Sequence, residues 1–337
     1  MKKCKTAFVG KRGHLGYALR GMKLLGDTAI AAGVTADGGD DAKSVQDAVE
    51  TYLGYPVALF PDCISMLDAV RPDILVVNGA FENHAALSIA ALERNIHVFC
   101  EKPLALTLDE LNAVEKAYGA SAPGTCIISM VGMRCESAMH TAFEAVRSGA
   151  IGKVKMVSSR KSYKLGIRPE FYKNRATYGG TIPWVGSHAL DLMLYFGGAS
   201  GFDSIFAFHN REDNQNNGDL EMCAVCCGRL NNGVITSCTI DYLRPEAAET
   251  HGDDRVRVAG TAGVIEVADG KVTLLNSSGE QILPLLPSRE LFYDFVQHIQ
   301  GKGAAPVTAG ETFALTRACL EAREFADSRL FRNSDPK

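Results

Sequence analysis

Over the first third of the chain, short apolar runs alternate with longer stretches whose apolar positions recur at helical spacing. Residues 6–10 and 29–35 read as strands, with a helix over 15–25 between them. The runs at 57–60, 74–77 and 98–100 supply three more strands, and AALSIAALERN, between the last two, repeats apolar positions with helical period. Strand and helix in alternation is the sequence form of β-α-β units, and it predicts a doubly wound parallel sheet of the nucleotide-binding kind.

A punctuated stretch, Ser121-Ala122-Pro123-Gly124, marks a boundary; a strand over 126–131 and a helix through Arg147, closed by Ser148-Gly149, follow it. From Lys153 the pattern changes. VKMVSSRKSY, MCAVCCGRL, GVITSCTIDY, DRVRVAG and GVIEVADGKVTLLN alternate or turn tightly, which predicts an antiparallel sheet of consecutive hairpins. Two late helices, 291–299 and 312–326, follow. The expected architecture is α/β: an N-terminal Rossmann doubly wound parallel sheet over 1–124, then an α+β domain with an open, mostly antiparallel sheet over 125–337. No internal repeat or low-complexity tract interrupts it.

Composition removes several classes of function. Apolar residues make up 46% of the 337 and charged ones 22%, enough core for a folded chain. The 35 Lys and Arg stand against 39 Asp and Glu, a net charge of -4, far from the basic excess that binding a phosphate backbone requires, so no nucleic-acid partner is expected. No apolar run approaches the ~18–20 residues of a membrane span, and the start MKKCKTAFVG runs into a turn after a few apolar residues, so neither anchor nor signal peptide is expected. The 10 cysteines lie mostly inside apolar runs without the paired spacing of a disulfide framework, which points to reduced thiols and a cytoplasmic location. Cys223 and Cys226 form one C-x-x-C, with no second pair or His cluster to complete a zinc tetrahedron; they read as buried strand thiols, and no metal is expected.

After the first strand comes Gly10-Lys11-Arg12-Gly13-His14-Leu15-Gly16, a glycine-rich turn opening a helix, where backbone N–H groups and the helix dipole can hold a diphosphate. A plain strand-to-helix turn would look similar, but an acidic residue, Asp37, falls where the second strand ends and an adenosine ribose would lie. A carboxylate there accepts from the ribose hydroxyls and repels a 2′-phosphate, which favours NAD. Lys11 and Arg12 pull the other way, leaving NADP possible.

Glu101-Lys102-Pro103 follows the strand HVFC, which puts Lys102 beyond a strand's carboxyl end, in the crevice where open parallel sheets bind ligands. An ammonium near a reacting hydroxyl favours negative charge on that oxygen. Further on, Gly179-Gly180 leads through Trp184 into a helix carrying His188 and Asp191, three apart and so on one face, where the carboxylate can orient the ring.

The glycine turn, AALERNIHVFCEKPLALTLDEL and the GG-x9-H-x2-D stretch together resemble the Gfo/Idh/MocA family of nicotinamide-dependent sugar and cyclitol oxidoreductases. Asn83-His84, Arg134, SGAIGKV at 148–154 and VAGTAGVIEV at 258–267 fall in the family's order. The resemblance implies a dehydrogenase acting on CH–OH groups of a polyol or sugar, with Lys102 the substrate-orienting lysine and His188 the proton acceptor. It also implies an oligomer, dimer or tetramer, built on the open sheet. It places Asn83 and His84 near the nicotinamide ribose and Arg134 near the substrate, although Asn83 can equally cap a helix and Arg134 form a salt bridge. One position departs from the family: an aspartate commonly sits four residues before the histidine, and here Trp184 does. An indole offers one donor and an apolar face, suited to a sugar's C–H surface or to a core. Tyr163, Arg168 and His251 are further polar candidates for the substrate pocket. The departure at Trp184 also admits a second reading, a nicotinamide-binding regulator without turnover.

Overall fold

A computed structural model describes residues 3–330. The chain folds as two compact units. The first runs to Gly132 and takes in Glu290–Phe313; the second comprises Met133–Arg289 and the chain from Ala314. Residues 125–132 and the late helix Leu291–Ile299 thus pack with the first unit, whereas a single boundary after residue 124 assigns them to the second.

In the first unit, β1 (Cys4–Val9), β2 (Ala29–Thr35), β3 (Ile74–Val77), β4 (His97–Cys100) and β5 (Ile127–Ser129) form one sheet in the order β2-β1-β3-β4-β5. Every pairing is parallel. β3, ILVV, is buried at all four positions, as a strand covered on both faces must be. The helices are α1 (Leu15–Leu25), α2 (Ala42–Leu53), α3 (Cys63–Val70), α4 (His84–Leu92) and α5 (Leu108–Ala120). Asp41 and Asp62 cap α2 and α3, and Thr107 with Glu110 forms a capping box on α5. Helix Leu291–Ile299 closes the core, with Phe292 and Phe295 ring centroids 5.0 and 5.7 Å from Phe99. The expected strand at 57–60 is not a sheet member. It makes a single bridge, Leu59 to Val34 of the edge strand β2, where the Val34 N–H donates to the Ala58 carbonyl and the Phe60 N–H to the Val34 carbonyl, both at 2.9 Å.

The second unit holds β6 (Val154–Tyr163), β7 (Phe202–Asn210), β8 (Cys223–Leu230), β9 (Ile235–Asp241), β10 (Gly252–Gly260), β11 (Gly263–Ala268), β12 (Lys271–Asn276) and β13 (Gly279–Ile282). Their order is β13-β12-β11-β10-β6-β9-β8-β7. Hairpin-linked neighbours account for both flanks, but the sheet's centre departs from consecutive hairpins: β6 and β9 pair in parallel, from Met156 with Ile235 to Ser162 with Asp241. The helices are α6 (Ser137–Arg147), α7 (Arg175–Tyr178) and α8 (Ser187–Gly197). Every residue of α8 except Tyr195 is buried, and Ser159 of β6 donates to the Ala189 carbonyl at 3.2 Å. The opposite face of the sheet carries exposed Met156, Phe206, Phe208, Val225 and Ile235. All ten cysteines are free thiols, with Cys226 directly across from Cys238. Among the described residues no helix is long and apolar enough to cross a membrane.

Candidate dinucleotide and substrate sites

Strand order reverses between β1 and β3, the switch point at which open parallel sheets bind ligands beyond their carboxyl ends. The glycine turn leaves β1 there. Gly10 has φ +69°, and a Cβ on it would lie 2.4 Å from the Asn78 carbonyl oxygen; Gly13 has φ +67°, and its Cβ would lie 2.6 Å from the Glu101 carboxylate. Asn78, just after β3, fastens the turn: it donates from its side chain to the Arg12 carbonyl at 2.7 Å and accepts the Arg12 N–H at 2.8 Å. The turn then delivers His14 and the buried Leu15 into the first turn of α1. Two glycines that let the turn pack directly on Asn78 and Glu101, at the N-terminus of an eleven-residue helix, fit the place where such folds hold a diphosphate.

Glu101 joins this turn to Lys102. Its fully buried carboxylate accepts the His14 backbone N–H at 2.5 Å, faces the His14 ring Nδ1 at 2.9 Å, and accepts the Lys102 N–H at 3.0 Å. Burial works to raise the Glu101 carboxyl, yet His14 and Lys102 hold it below its ordinary value. Lys102 is itself buried, its Nζ 4.0 Å from Glu101 Oε1, and its peptide bond to Pro103 is cis.

The other first-unit candidates fall into place around β2 and β3. Asp37 accepts from the Ala80 N–H at 2.8 Å and from the Asn83 amide at 3.0 and 3.1 Å. Asn83 therefore spends its side chain on Asp37, and it makes no side-chain cap on α4. A carboxylate has about four lone-pair positions, so Asp37 keeps capacity for a hydroxyl as well. The Arg12 guanidinium donates to the Gly38 carbonyl and lies 4.0 Å from Asp40; the Lys11 N–H reaches Asp40 at 3.3 Å. His84 is fully enclosed, its Nδ1 2.8 Å from the Pro103 carbonyl and its Nε2 3.2 Å from that of Gly79. Both ring nitrogens face backbone, and burial keeps its pKa low, so it braces the loop after Lys102 rather than reaching outward.

In the second unit, residues Ile182–Gly186 form a π-helical turn that runs directly into α8. Such turns recur at functional sites. Trp184 sits within it, its carbonyl accepting from Ser187 Oγ at 2.8 Å, and His188 follows one turn later; both are buried. Asp191 does not stand as a carboxylate reserved for the histidine, because Arg134 donates to both of its oxygens, from Nε at 3.0 Å and from an Nη. Arg134 and Asp191 are almost fully buried, so Arg134 is one arm of an internal ion pair. An aromatic cluster flanks the π turn: Tyr172 lies 6.3 Å from Trp184 ring to ring and 4.7 Å from Tyr178, whose hydroxyl meets that of Tyr242 at 2.9 Å. Tyr163 stacks on the exposed His251 at 5.1 Å. Asn78, Tyr172, Tyr178 and Tyr242 are absent from the sequence candidates. Asn78 has a usable signal, its place after an apolar strand; the tyrosines have none, being scattered over seventy positions.

A doubly wound sheet with a glycine cradle at its switch point and a buried lysine on the neighbouring strand end defines a Rossmann oxidoreductase. The chain belongs to the Gfo/Idh/MocA family: residues 6–121 match the oxidoreductase family's NAD-binding Rossmann fold, and residues 139–266 match the GFO/IDH/MocA C-terminal domain. It is 38% identical to a structure described as an oxidoreductase from Thermotoga maritima, with TM-score 0.91, covering 96% of this chain and 98% of that one. A 1,5-anhydro-D-fructose reductase of Ensifer adhaerens is 24% identical over 313 residues, 88% of this chain and 91% of the relative. The inositol 2-dehydrogenase of Salmonella typhimurium is 26% identical over 186 residues, 54% of this chain and 53% of the relative.

Proposed function

We propose that the protein moves a hydride between a nicotinamide cofactor and a carbon bearing a secondary hydroxyl, or the matching ketone, on a sugar, sugar derivative or cyclitol. The observation that carries this reading is Lys102: a buried ammonium beyond the end of β4, tied through Glu101 to the glycine cradle. The relatives, a sugar-ketone reductase and a cyclitol dehydrogenase, support the substrate class. Bound nicotinamide supplies the hydride acceptor or donor. Lys102 orients the substrate oxygen and stabilises negative charge on it, and His188 exchanges that oxygen's proton. Its imidazole takes up the proton in oxidation and returns it in reduction. Gly10, Gly13 and the start of α1 hold the diphosphate, with His14, Lys11 and Arg12 around it. Trp184 offers an apolar face to the substrate ring.

Change of NAD(P)H absorbance against a panel of sugars, inositols and their keto forms tests the reading. Tight cofactor binding without turnover on any member would favour the regulator that Trp184 suggests.

The cofactor is proposed to be NAD, because Asp37 keeps acceptor capacity at the end of β2. Asp37→Ala is expected to narrow the preference for NAD over NADP by about tenfold or more, measured as the ratio of the two kcat/KM values. An unchanged ratio removes the ribose contact.

The assembly is proposed to be a homo-oligomer, dimer or tetramer, built on the open face of the second sheet. Five large apolar side chains exposed on one face support this, since monomers rarely leave such patches uncovered. Phe208→Lys with Val225→Lys is expected to shift the sedimenting species to the monomer mass; a wild-type monomer at micromolar concentration sinks the idea.

A further inference from the structure

Arg168 lies in the segment between β6 and α7. Its guanidinium carbon is 4.4 Å from the centre of the Tyr242 ring and 5.4 Å from that of Tyr172. One Nη donates to the Lys164 carbonyl at 2.9 Å, while Nε is enclosed without a hydrogen-bond partner. No carboxylate among the described residues lies within ion-pair distance of it. Other arginines of the same unit are matched: Arg134 with Asp191, Arg160 with Asp253, Arg175 with Glu221, Arg211 with Asp219. A partly desolvated cation without an anion is costly, and two tyrosine faces return only part of that cost.

The site's connectivity gives the unmatched charge a use. Arg168 stacks on Tyr172, Tyr172 meets Trp184 edge to face, and Trp184 precedes His188 by one turn. The guanidinium is thus linked by one aromatic wall to the proposed proton-exchanging histidine.

We infer that Arg168 receives an anionic group of the substrate, and that this group is a carboxylate, so the substrate is an acidic sugar or polyol rather than a neutral one. With Nε enclosed and one Nη on the Lys164 carbonyl, the guanidinium keeps N–H groups on its Nη side that can donate to a carboxylate oxygen. The inference deepens the hydride-transfer reading and rests on it.

The test titrates NAD+-saturated protein, which supplies the hydride acceptor that oxidation of a hydroxyl carbon needs, with L-tartrate, D-gluconate and D-glucuronate, with neutral myo-inositol and D-glucose, and with D-glucose 6-phosphate. Emission of Trp184, the single tryptophan, reports binding, and NAD(H) absorbance reports turnover. A carboxylate probe is expected to bind and to lose about ten- to a hundredfold in affinity in Arg168→Gln, with part recovered in Arg168→Lys and the neutral probes unmoved. Failure of every carboxylate to bind, equal binding by Arg168→Gln, or binding of the phosphate alone overturns the inference. Carboxylate binding through Arg168 without turnover leaves it standing and removes the dehydrogenase reading. Turnover of neutral polyols that Arg168→Gln does not alter does the reverse.

Discussion

Lys102→Met is expected to lower turnover by about a hundredfold or more on the true substrate while leaving NADH affinity nearly unchanged. Methionine keeps the unbranched length and apolar stem and removes only the ammonium. What is lost is charge beside the substrate oxygen, where negative charge develops during transfer and where a water-poor setting makes a fixed cation count most. The buried Glu101 keeps compensation in the variant, since the His14 backbone N–H and ring still face it. His188→Ala is expected to fall as far, through loss of the proton partner. Stopped-flow rates separate chemistry from binding. Near-normal turnover in either variant would strip that residue of its role.

Asp191→Ala is expected to cost about 3–5 kcal/mol of stability, because it removes the carboxylate that both Nε and an Nη of the buried Arg134 donate to. Both partners are almost fully buried, 4% and 2% exposed, and Arg134 has the Tyr195 ring, 4.5 Å away, as a neighbour able to soften its charge only in part. The loss corresponds to a fall in Tm on the order of 10 °C. Breaking the pair and deleting it differ: Arg134→Met with Asp191→Leu is expected to recover much of the loss, because no charge is then left in the core. Urea titration of both variants measures the two quantities. A cost below about 1 kcal/mol for Asp191→Ala would mean that water reaches Arg134.

Features written in neighbouring residues are legible from the chain alone. The glycine turn, the buried ILVV strand and the lysine after HVFC each carry their signal within a few positions, because strand ends and helix starts are local events. Features that depend on distant partners are not. Nothing near Arg134 announces Asp191, 57 positions away, and nothing near Arg168 announces Tyr242. β7 is hard to see because Phe206 and Phe208 put large apolar groups on the face where Ile205, Ala207 and His209 are not, which blurs the inside-outside alternation. The run at 57–60 reads as a strand and does lie against the edge strand β2, but apolar character alone does not say that the pairing stops at a single bridge. The parallel pairing of β6 with β9 is hidden for the reason the hairpins are visible: the turn signals join sequence neighbours only.

That parallel ladder also bears on how the polypeptide is made. β6 sits between β9 and β10, and both are later in the chain; Ser158 and its partner Ser237 are 79 positions apart. During synthesis β6 emerges with neither edge occupied and stays so until the ribosome has passed Ile235, whereas β7 and β8 zip together soon after their turn appears. The nascent protein therefore carries a ten-residue strand with two open edges through a long stretch of elongation, the interval in which a chaperone has most to shield.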